Sequence, residues 1–116
     1  MMAVTTRKKI NVLRKAVTVL KENKWTRYQV AYNQDNEPVP PLSSDAVCFC
    51  AYGALQHAQK DDNVSLRKSK AVADQLLREV FEHTNVHLVS FNDHYARGKR
   101  DVIRVLEKTA KALAAQ

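Results

Sequence analysis

The segment that follows Asp45 leaves few ways to fold this chain, because it is apolar on every side. We predict a helix over residues 46–59, with its start capped by Ser43, Ser44 or Asp45. Its apolar residues surround the helix axis: Ala46, Val47, Cys48, Phe49, Cys50, Ala51, Tyr52, Ala54, Leu55 and Ala58. A helix without a polar face is a buried helix, so we expect it at the centre of the fold. Gly53 lies inside it, where glycine costs about 1 kcal/mol relative to alanine, and therefore predicts the close approach of another backbone.

Three further helices are predicted from apolar residues that recur at spacings of three and four. They cover residues 6–23, 66–83 and 99–114. Thr5 or Thr6 caps the helix over residues 6–23, and Ser65 caps the helix over residues 66–83. The inner rows of these helices are Ile10, Leu13, Val17 and Leu20; Val72, Leu76 and Val80; and Val102, Leu106, Thr109 and Leu113. Such stripes are typical of helices that pack on a common core.

The connecting segments carry signals for extended structure and turns. Residues 26–41 predict a short hairpin or extended arm, and their three prolines exclude a central strand for its return leg. Residues 86–91 are apolar and β-branched and predict a short strand or buried extended segment, followed by a loop over residues 92–98. We therefore predict a mainly α fold: a single compact four-helix domain covering residues 1–116, with a buried central second helix and an extended or hairpin segment near residues 26–41.

Charge is distributed unevenly along the chain. The formal net charge is +7, and the first 31 residues alone carry eight basic side chains against one acidic side chain. This balance favours an anionic macromolecular partner, either an acidic protein or a nucleic acid, although an ordinary basic soluble protein would show it too. No apolar stretch approaches the roughly 18 residues of a membrane span, so we expect no membrane partner.

Basic residues concentrate at the predicted helix starts, where they oppose the helix dipole at about 0.3–1 kcal/mol each. A bound phosphate or acidic side chain would reverse that cost, so we treat these residues as candidate anion or nucleic-acid contacts. They are Arg7, Lys8, Lys9, Arg67, Lys68, Lys70, Arg97, Lys99 and Arg100. The alternative is compositional, because a chain rich in lysine and arginine has to place them on its surface. In a simple up-and-down bundle the first and third helix starts would share one end.

The two cysteines, Cys48 and Cys50, do not form a secreted disulfide framework. No apolar segment of signal-peptide length follows the first charged residues, which predicts a cytoplasmic protein with reduced thiols. On a helix these side chains would point about 200° apart, which argues against a shared zinc ion, whereas on a strand both could reach one metal. His83 and His87 have the spacing of helical metal ligands, but Asn85 between them indicates that the helix has ended. We predict neither a metal nor another cofactor.

A small polar site is the remaining chemical candidate. Asn92, Asp93 and His94 follow an apolar run, and a thiol nucleophile at Cys50 would need a base such as His94. His57 lies about 10 Å further along the predicted helix, too far to serve. Against this stands a structural interpretation, in which the Asn and Asp side chains satisfy backbone N–H groups in a turn.

Two stretches resemble a family of small uncharacterised bacterial and phage proteins. One is Cys-Ala-Tyr-Gly-Ala-Leu over residues 50–55, and the other is the aromatic-Asn-Asp turn over residues 91–93. Trp25 and the proline segment before the second helix fit the same pattern, so the resemblance covers nearly the whole chain. Lys24 stands where that family often has glycine, and Phe91 where it often has tryptophan. The resemblance implies the same helical organisation and points to Cys50, Gly53, Asn92 and Asp93, but it implies no activity.

These observations favour a small cytoplasmic, non-enzymatic module that binds a macromolecular partner, such as a phage-type accessory or regulatory protein. One alternative is a nucleic-acid-binding protein that uses its basic helix starts. A second alternative is an enzyme that uses Cys50 or the turn at Asn92, Asp93 and His94. If Tyr28, Tyr32 or Trp25 is exposed in the fold, it marks an oligomer or partner surface.

Overall fold

Helices dominate the computed structural model, which describes residues 4–116. The helices are α1 (Thr6–Glu22), α2 (Ala51–His57), α3 (Leu66–Thr84), α4 (Leu88–Ser90) and α5 (Lys99–Ala114). A 3₁₀ turn (Lys60–Asp62) and a π-helical turn (Phe91–Tyr95) complete the helical part. The strands are β1 (Lys24–Trp25), β2 (Ala31–Tyr32) and β3 (Cys48–Phe49). The predicted mainly α class is therefore confirmed, with a small sheet in addition. No helix within residues 4–116 is long and apolar enough to cross a membrane.

The first and last long helices follow their predicted boundaries and pack along each other. Thr5 caps α1, where its hydroxyl accepts a 3.1 Å hydrogen bond from the Lys8 N–H group. At the other end of α1, the Lys99 ammonium at the start of α5 donates to the Asn23 carbonyl at 2.9 Å. The two helices are therefore antiparallel, and the start of α5 lies beside the end of α1.

The central segment is buried as predicted, but the predicted helix over residues 46–59 is wrong in its first part. Cys48 and Phe49 form β3, the middle strand of a sheet in the order β1-β3-β2. β3 runs parallel to β1 and antiparallel to β2, with Phe49 opposite both Trp25 and Ala31. A continuous apolar run fits a buried strand as well as a buried helix, and here two neighbouring strands satisfy its backbone groups. The helix begins at Ala51.

Gly53 has the role that the sequence indicated. A Cβ atom placed on it would lie 1.9 Å from the Val30 carbonyl oxygen, so any side chain there would collide with backbone. The Val30 carbonyl also accepts a 3.3 Å hydrogen bond from the N–H group of Cys50. The missing side chain therefore lets the segment before β2 lie directly against the start of α2.

The other extended predictions need correction. Residues 86–91 were expected to be extended and residues 92–98 a loop, but α4 and the π-helical turn occupy most of this span. Asn85 does end α3, in a left-handed conformation with φ of 60°, and one helical turn then buries Leu88 while Val89 stays 44% exposed. A single helical turn needs only one buried apolar residue, so a short apolar run is compatible with a helical turn as well as with a strand.

The segment over residues 26–41 is extended only in part. β2 pairs with β3, and Tyr32 forms an isolated antiparallel bridge with Pro38. Tyr28 adopts a left-handed backbone with φ of 68°, which interrupts the alternation expected of a strand. Tyr28 therefore does not share a strand face with Val30 and Tyr32, and its ring is exposed instead.

Candidate functional site

Asn92 is the anchor of the π-helical turn and is only 1% exposed. Its Oδ1 accepts hydrogen bonds from the Trp25 indole at 2.7 Å and from the Ala51 N–H group at 2.9 Å. Its Nδ2 donates to the Thr26 carbonyl at 3.1 Å and to Asp93 Oδ1 at 2.9 Å. Two acceptor and two donor positions are thus used within the chain, which is the structural role that the sequence allowed for this residue.

Asp93 holds an unusual backbone conformation in place. Its Oδ1 also accepts a 2.9 Å hydrogen bond from the N–H group of Tyr28, whose φ is 68°. A bulky residue in the left-handed region costs about 1–2 kcal/mol, so the conformation of Tyr28 is strained. Within residues 4–116, Asp93 Oδ2 has no hydrogen-bond donor. One carboxylate oxygen therefore orders the chain while the other stays available.

A hollow of about 110 Å³ lies between these residues and the start of α2. Its walls include two tyrosines, two valines, a thiol and a carboxylate: Tyr28, Tyr52, Val30, Val89, Cys50 and Asp93. We call it the Asp93 hollow. Tyr52 is fixed by a 2.7 Å hydrogen bond from its hydroxyl to Asp74 on α3. A second, more open hollow lies beyond Val89 and Asp93, along α4 and His94.

Exposed rings border both hollows. The side chains of Tyr28, Val89 and Tyr95 are 69%, 44% and 71% exposed, and His94 is also exposed. We call these four residues the aromatic face. The His94 ring lies between the two tyrosines, with ring centroids 5.5 Å from Tyr28 and 6.4 Å from Tyr95.

The residues next to the aromatic face are held by contacts of the Arg27 guanidinium and the Asn92 amide. The Arg27 guanidinium lies 4.5 Å from the centre of the Trp25 ring and donates to the Ala96 carbonyl at 2.8 Å. Trp25 in turn donates to Asn92, so two hydrogen bonds join β1 and the residues just after it to the π-helical turn and its C-cap, Ala96. The exposed rings thus extend from an ordered base. Of the aromatic residues named as surface markers, Tyr28 is exposed, whereas Trp25 and Tyr32 are partly buried.

The Cys50 thiol sits at the N-cap of α2 and is 8% exposed. Its Sγ accepts a 3.3 Å hydrogen bond from the Gly53 N–H group. Burial raises the pKa of the Cys50 thiol, and the negative charge of Asp93 raises that pKa further. The thiol is therefore protonated at neutral pH, whereas a nucleophile needs the thiolate.

The two histidines considered as its base serve elsewhere. His57 is buried, with Nδ1 2.6 Å from the Pro41 carbonyl and its ring 4.5 Å from that of Phe49. His94 lines the second, more open hollow, and no hydrogen bond within the described residues joins it to Cys50. The structure thus brings Cys50, Asn92 and Asp93 together around one hollow and leaves His94 outside it.

The cysteines and histidines do not gather into a metal site in the part of the chain that the structure describes. Cys48 lies on β3 and Cys50 follows it at the helix cap, so the geometric argument based on a helix does not apply to them. Burial also raises the pKa of the Cys48 thiol. His83 Nε2 lies 3.3 Å from Glu79, and the His87 ring stacks on Phe81 with centroids 4.4 Å apart.

Several basic residues at helix starts are paired within the chain. Lys8 forms an ion pair with Asp62, and Lys9 forms one with Glu79 at 3.0 Å. The Arg97 guanidinium donates to both carboxylate oxygens of Asp101, at 3.0 and 3.1 Å. These side chains, like Lys99, therefore already have partners in the same protein. For Lys8, Lys9 and Arg97, the anion is therefore an acidic side chain of the same protein.

The other five candidates are exposed. Within residues 4–116, no carboxylate lies within ion-pair distance of Arg7, Arg67, Lys68, Lys70 and Arg100. The antiparallel packing of α1 and α5 places Arg7 and Arg100 at opposite ends of that pair. The helix starts therefore do not form one continuous basic surface.

Sequence reasoning missed the aromatic face as a unit. Tyr95 lies in the predicted loop over residues 92–98, and Tyr28 lies in the segment that is predicted to be extended. The bond from Tyr52 to Asp74 also joins residues 22 positions apart, so no local pattern reveals it. The aromatic residues flanking Asn92 and Asp93 were the available signal, because exposed aromatics beside a polar turn are typical of binding loops.

Comparison with known proteins places the chain in a family. A model described as a family of unknown function, DUF6197, matches residues 4–112. The chain therefore belongs to this family, which confirms the expected membership of a family of unknown function. No curated protein and no solved structure matches it.

Proposed function

We propose that this member of the DUF6197 family is a small cytoplasmic, non-enzymatic module that binds a macromolecular partner through its aromatic face. The observation that carries the proposal is the exposure of Tyr28 and Tyr95, at 69% and 71%. Tyr28 lines the Asp93 hollow, and the ring of Tyr95 lies 6.4 Å from that of His94, which lines the second hollow. Tyrosine is enriched at protein interfaces, where its ring supplies contact area and its hydroxyl a hydrogen bond. A phage-type accessory or regulatory role would suit a chain of 116 residues.

The strain at Tyr28 supports this function. A strained residue inside a core can be a by-product of packing, but Tyr28 contributes little to the core because its side chain is mostly exposed. Strained backbone that persists at a surface position is common at ligand contacts and switch regions. Asp93 supplies the hydrogen bond that keeps this conformation, so the ring is presented in one orientation.

The chemistry of the polar residues favours a binding role over an enzymatic one. Asn92 uses its amide within the chain, and the Cys50 thiol is buried with a raised pKa. A general base within reach of this thiol would be needed for nucleophilic catalysis, and His57 is committed to Pro41. These groups order the surface and leave the exposed rings to make contacts.

Capture of a partner by variants that keep the fold tests the proposal. Tyr28→Asn suits a left-handed backbone, and Tyr95→Ser removes the second ring, so the double variant should fold while losing the aromatic face. Leu66→Ser is the matched control, because Leu66 is also exposed, at 45%, but lies at the start of α3. We expect wild type and the control to retain the same macromolecule and the double variant to lose it.

The same macromolecule should quench or shift the fluorescence of Trp25, the single tryptophan, which lies beneath the aromatic face. This titration uses the purified partner and reports directly on the proposed surface. Equal retention of the partner by the double variant and the wild type would contradict the proposal, as would a partner that leaves Trp25 emission unchanged.

Nucleic-acid binding is a second candidate, and one observation favours it. Arg67, Lys68 and Lys70 are exposed together at the start of α3, with no carboxylate of residues 4–116 within ion-pair distance. Exposed cations without intramolecular partners can neutralise phosphates and release counter-ions. A salt titration with labelled DNA and RNA separates this candidate from the first.

A further inference from the structure

The Asp93 hollow differs in charge from the molecule around it. The chain carries a net charge of +7, yet among residues 4–116 neither a lysine nor an arginine lines this hollow or the open hollow next to it. Of the described residues, Asp93 alone gives this hollow a charged wall, and Asp74 lies close behind through the Tyr52 hydroxyl. The hollow is thus an acidic spot on a basic protein, and it is complementary to a cationic group.

The walls suit a group with an apolar stem. Val30 and Val89 supply aliphatic contacts, and the rings of Tyr28 and Tyr52 supply aromatic ones. Aromatic rings attract cations through their negative faces, so they favour a charged tip as well as a hydrocarbon chain. The volume is about 110 Å³, whereas an apolar cavity of about 150 Å³ holds benzene. A chain of a few heavy atoms fits this volume.

The hydrogen bonds of Asp93 select the kind of cation. Oδ1 already accepts from the Tyr28 N–H group and from Asn92 Nδ2, whereas Oδ2 has no donor within the described residues. Arginine prefers to bind both oxygens of a carboxylate at once, with two parallel hydrogen bonds. A lysine ammonium is a compact charge that can bind the single available oxygen.

We infer that the Asp93 hollow binds a lysine side chain of a partner protein, with the butyl stem between Tyr28, Tyr52 and the two valines and the ammonium on Asp93 Oδ2. The inference rests on the proposed function, because the lysine belongs to the macromolecule that docks on the aromatic face. It makes that partner a protein and gives the docking surface a central anchor, as is common for binding hot spots.

The surroundings of the hollow agree with this assignment. Burial and then the hydrogen bond to Asp74 raise the pKa of the Tyr52 hydroxyl, and the charge of Asp93 contributes to the raised pKa of the Cys50 thiol. Both groups therefore stay neutral at physiological pH and add no competing negative charge that would draw the ammonium away from Asp93. The negative potential of the hollow comes from its carboxylates.

Titration with n-butylammonium, which reproduces the lysine side chain, tests the inference without any partner. The readouts are the backbone amide NMR signals of Tyr28 and Ala51, both in the network around Asn92, at constant ionic strength. We expect saturable shifts of these signals with n-butylammonium. The neutral analogue n-butanol and the arginine analogue n-propylguanidinium should each bind at least tenfold more weakly.

Two variants make the test specific. Asp93→Asn keeps an oxygen that can accept from the Tyr28 N–H group but removes the charge, and it should weaken n-butylammonium binding at least tenfold. Val89→Lys leaves the Asn92 network untouched and places an ammonium at the mouth of the hollow, so it should weaken binding by a similar factor even if Asp93→Asn folds poorly. Asp45→Asn removes the same charge at an exposed position that does not line the hollow, so it should stay within about threefold of wild type.

The outcomes distinguish this inference from the function on which it rests. If n-butanol binds as tightly as n-butylammonium, if folded Asp93→Asn or Val89→Lys binds it like wild type, or if no signal shifts, the lysine assignment is wrong. Retention of a macromolecule that depends on Tyr28 and Tyr95 would then still support the aromatic face. A partner that proves to be a nucleic acid would overturn the lysine assignment even though the face is used.

Discussion

The Trp25 indole donates a 2.7 Å hydrogen bond to Asn92 Oδ1, although 67 positions separate the two residues in the chain. The same oxygen accepts from the Ala51 N–H group, so one side-chain amide holds together β1, the start of α2 and the π-helical turn. The hollow and the aromatic face both depend on this junction.

Replacing Asn92 should therefore cost far more stability than its size suggests. Asn92→Asp has nearly the same shape but places a carboxylate oxygen against Asp93 and the Thr26 carbonyl, where Nδ2 now donates. We expect the free energy of unfolding to fall by about 3 kcal/mol or more, measured by urea denaturation with Trp25 emission. Asn11→Asp, at an exposed position of α1, should change it by less than about 0.5 kcal/mol. Similar values for the two variants would contradict the anchoring role.

The two glycines should respond to alanine to different extents. Gly53→Ala places a methyl group 1.9 Å from the Val30 oxygen, so we expect a loss of at least about 2 kcal/mol, or displacement of the segment before β2. Gly98→Ala meets no atom within 4 Å, so it should lose less than about 1 kcal/mol, the cost of alanine in place of glycine at the N-cap of α5. Thermal unfolding of both variants measures the difference. A stable Gly53→Ala protein with unchanged Val30 amide signals would disprove the close approach.

Tyr28 should be replaceable without loss of stability. Because its φ of 68° disfavours a bulky side chain, Tyr28→Asn should be as stable as wild type or more stable by up to about 1 kcal/mol. Tyr28→Val introduces a β-branched residue at the same backbone position and should be less stable than either. Chemical denaturation ranks the three proteins, and the reverse order would show that the tyrosine ring serves packing rather than presentation.

Stability should decline as the pH falls from about 7 to 5, because of His57. Burial lowers the pKa of the His57 imidazole in the folded protein. Below the unfolded pKa of about 6.5, the unfolded chain binds a proton that the folded protein resists, so the free energy of unfolding decreases. His57→Gln should be less stable at pH 8 but show a shallower pH dependence in this window. His83→Gln is the control, and a slope for His57→Gln equal to that of wild type would exclude His57 as the cause.

A nucleic-acid partner predicts a specific salt dependence. If duplex DNA binds at the start of α3, Arg67→Ser with Lys68→Ser should flatten the log-log salt slope by about 2. Arg14→Ser with Lys15→Ser removes the same charge from an exposed part of α1 and should flatten it less. Fluorescence anisotropy gives both slopes. Absence of binding even at low salt, or equal slopes, would remove the second candidate function.

Periodic segments were predictable, and the reason is local. α3 starts directly after its predicted cap, Ser65, and α5 starts at Lys99 as predicted, because the apolar stripe of each helix is a pattern of neighbouring residues. The segment over residues 46–59 lacks a stripe, so nothing local decides between strand and helix. The choice depends on β1 and β2, which are remote in sequence.

The candidate site was predictable as a set of residues but not as an arrangement. Cys50, Asn92 and Asp93 do line one hollow, and the turn does satisfy backbone N–H groups as its composition indicated. The exposure of Tyr28 results from a left-handed backbone held by Asp93, 65 positions away. A conformation imposed by so distant a side chain leaves no trace in the spacing of nearby residues.

The antiparallel packing of α1 on α5 also has a consequence for synthesis of the protein. The apolar stripe of α1, including Leu13 and Leu20, is covered in the finished fold largely by α5, which the ribosome makes after the other helices described, with Val102 and Leu106 among its inner residues. Until α5 emerges, that stripe lacks its main cover and is a natural target for chaperones. A transcript truncated before residue 99 should therefore yield an aggregating product rather than a smaller folded one.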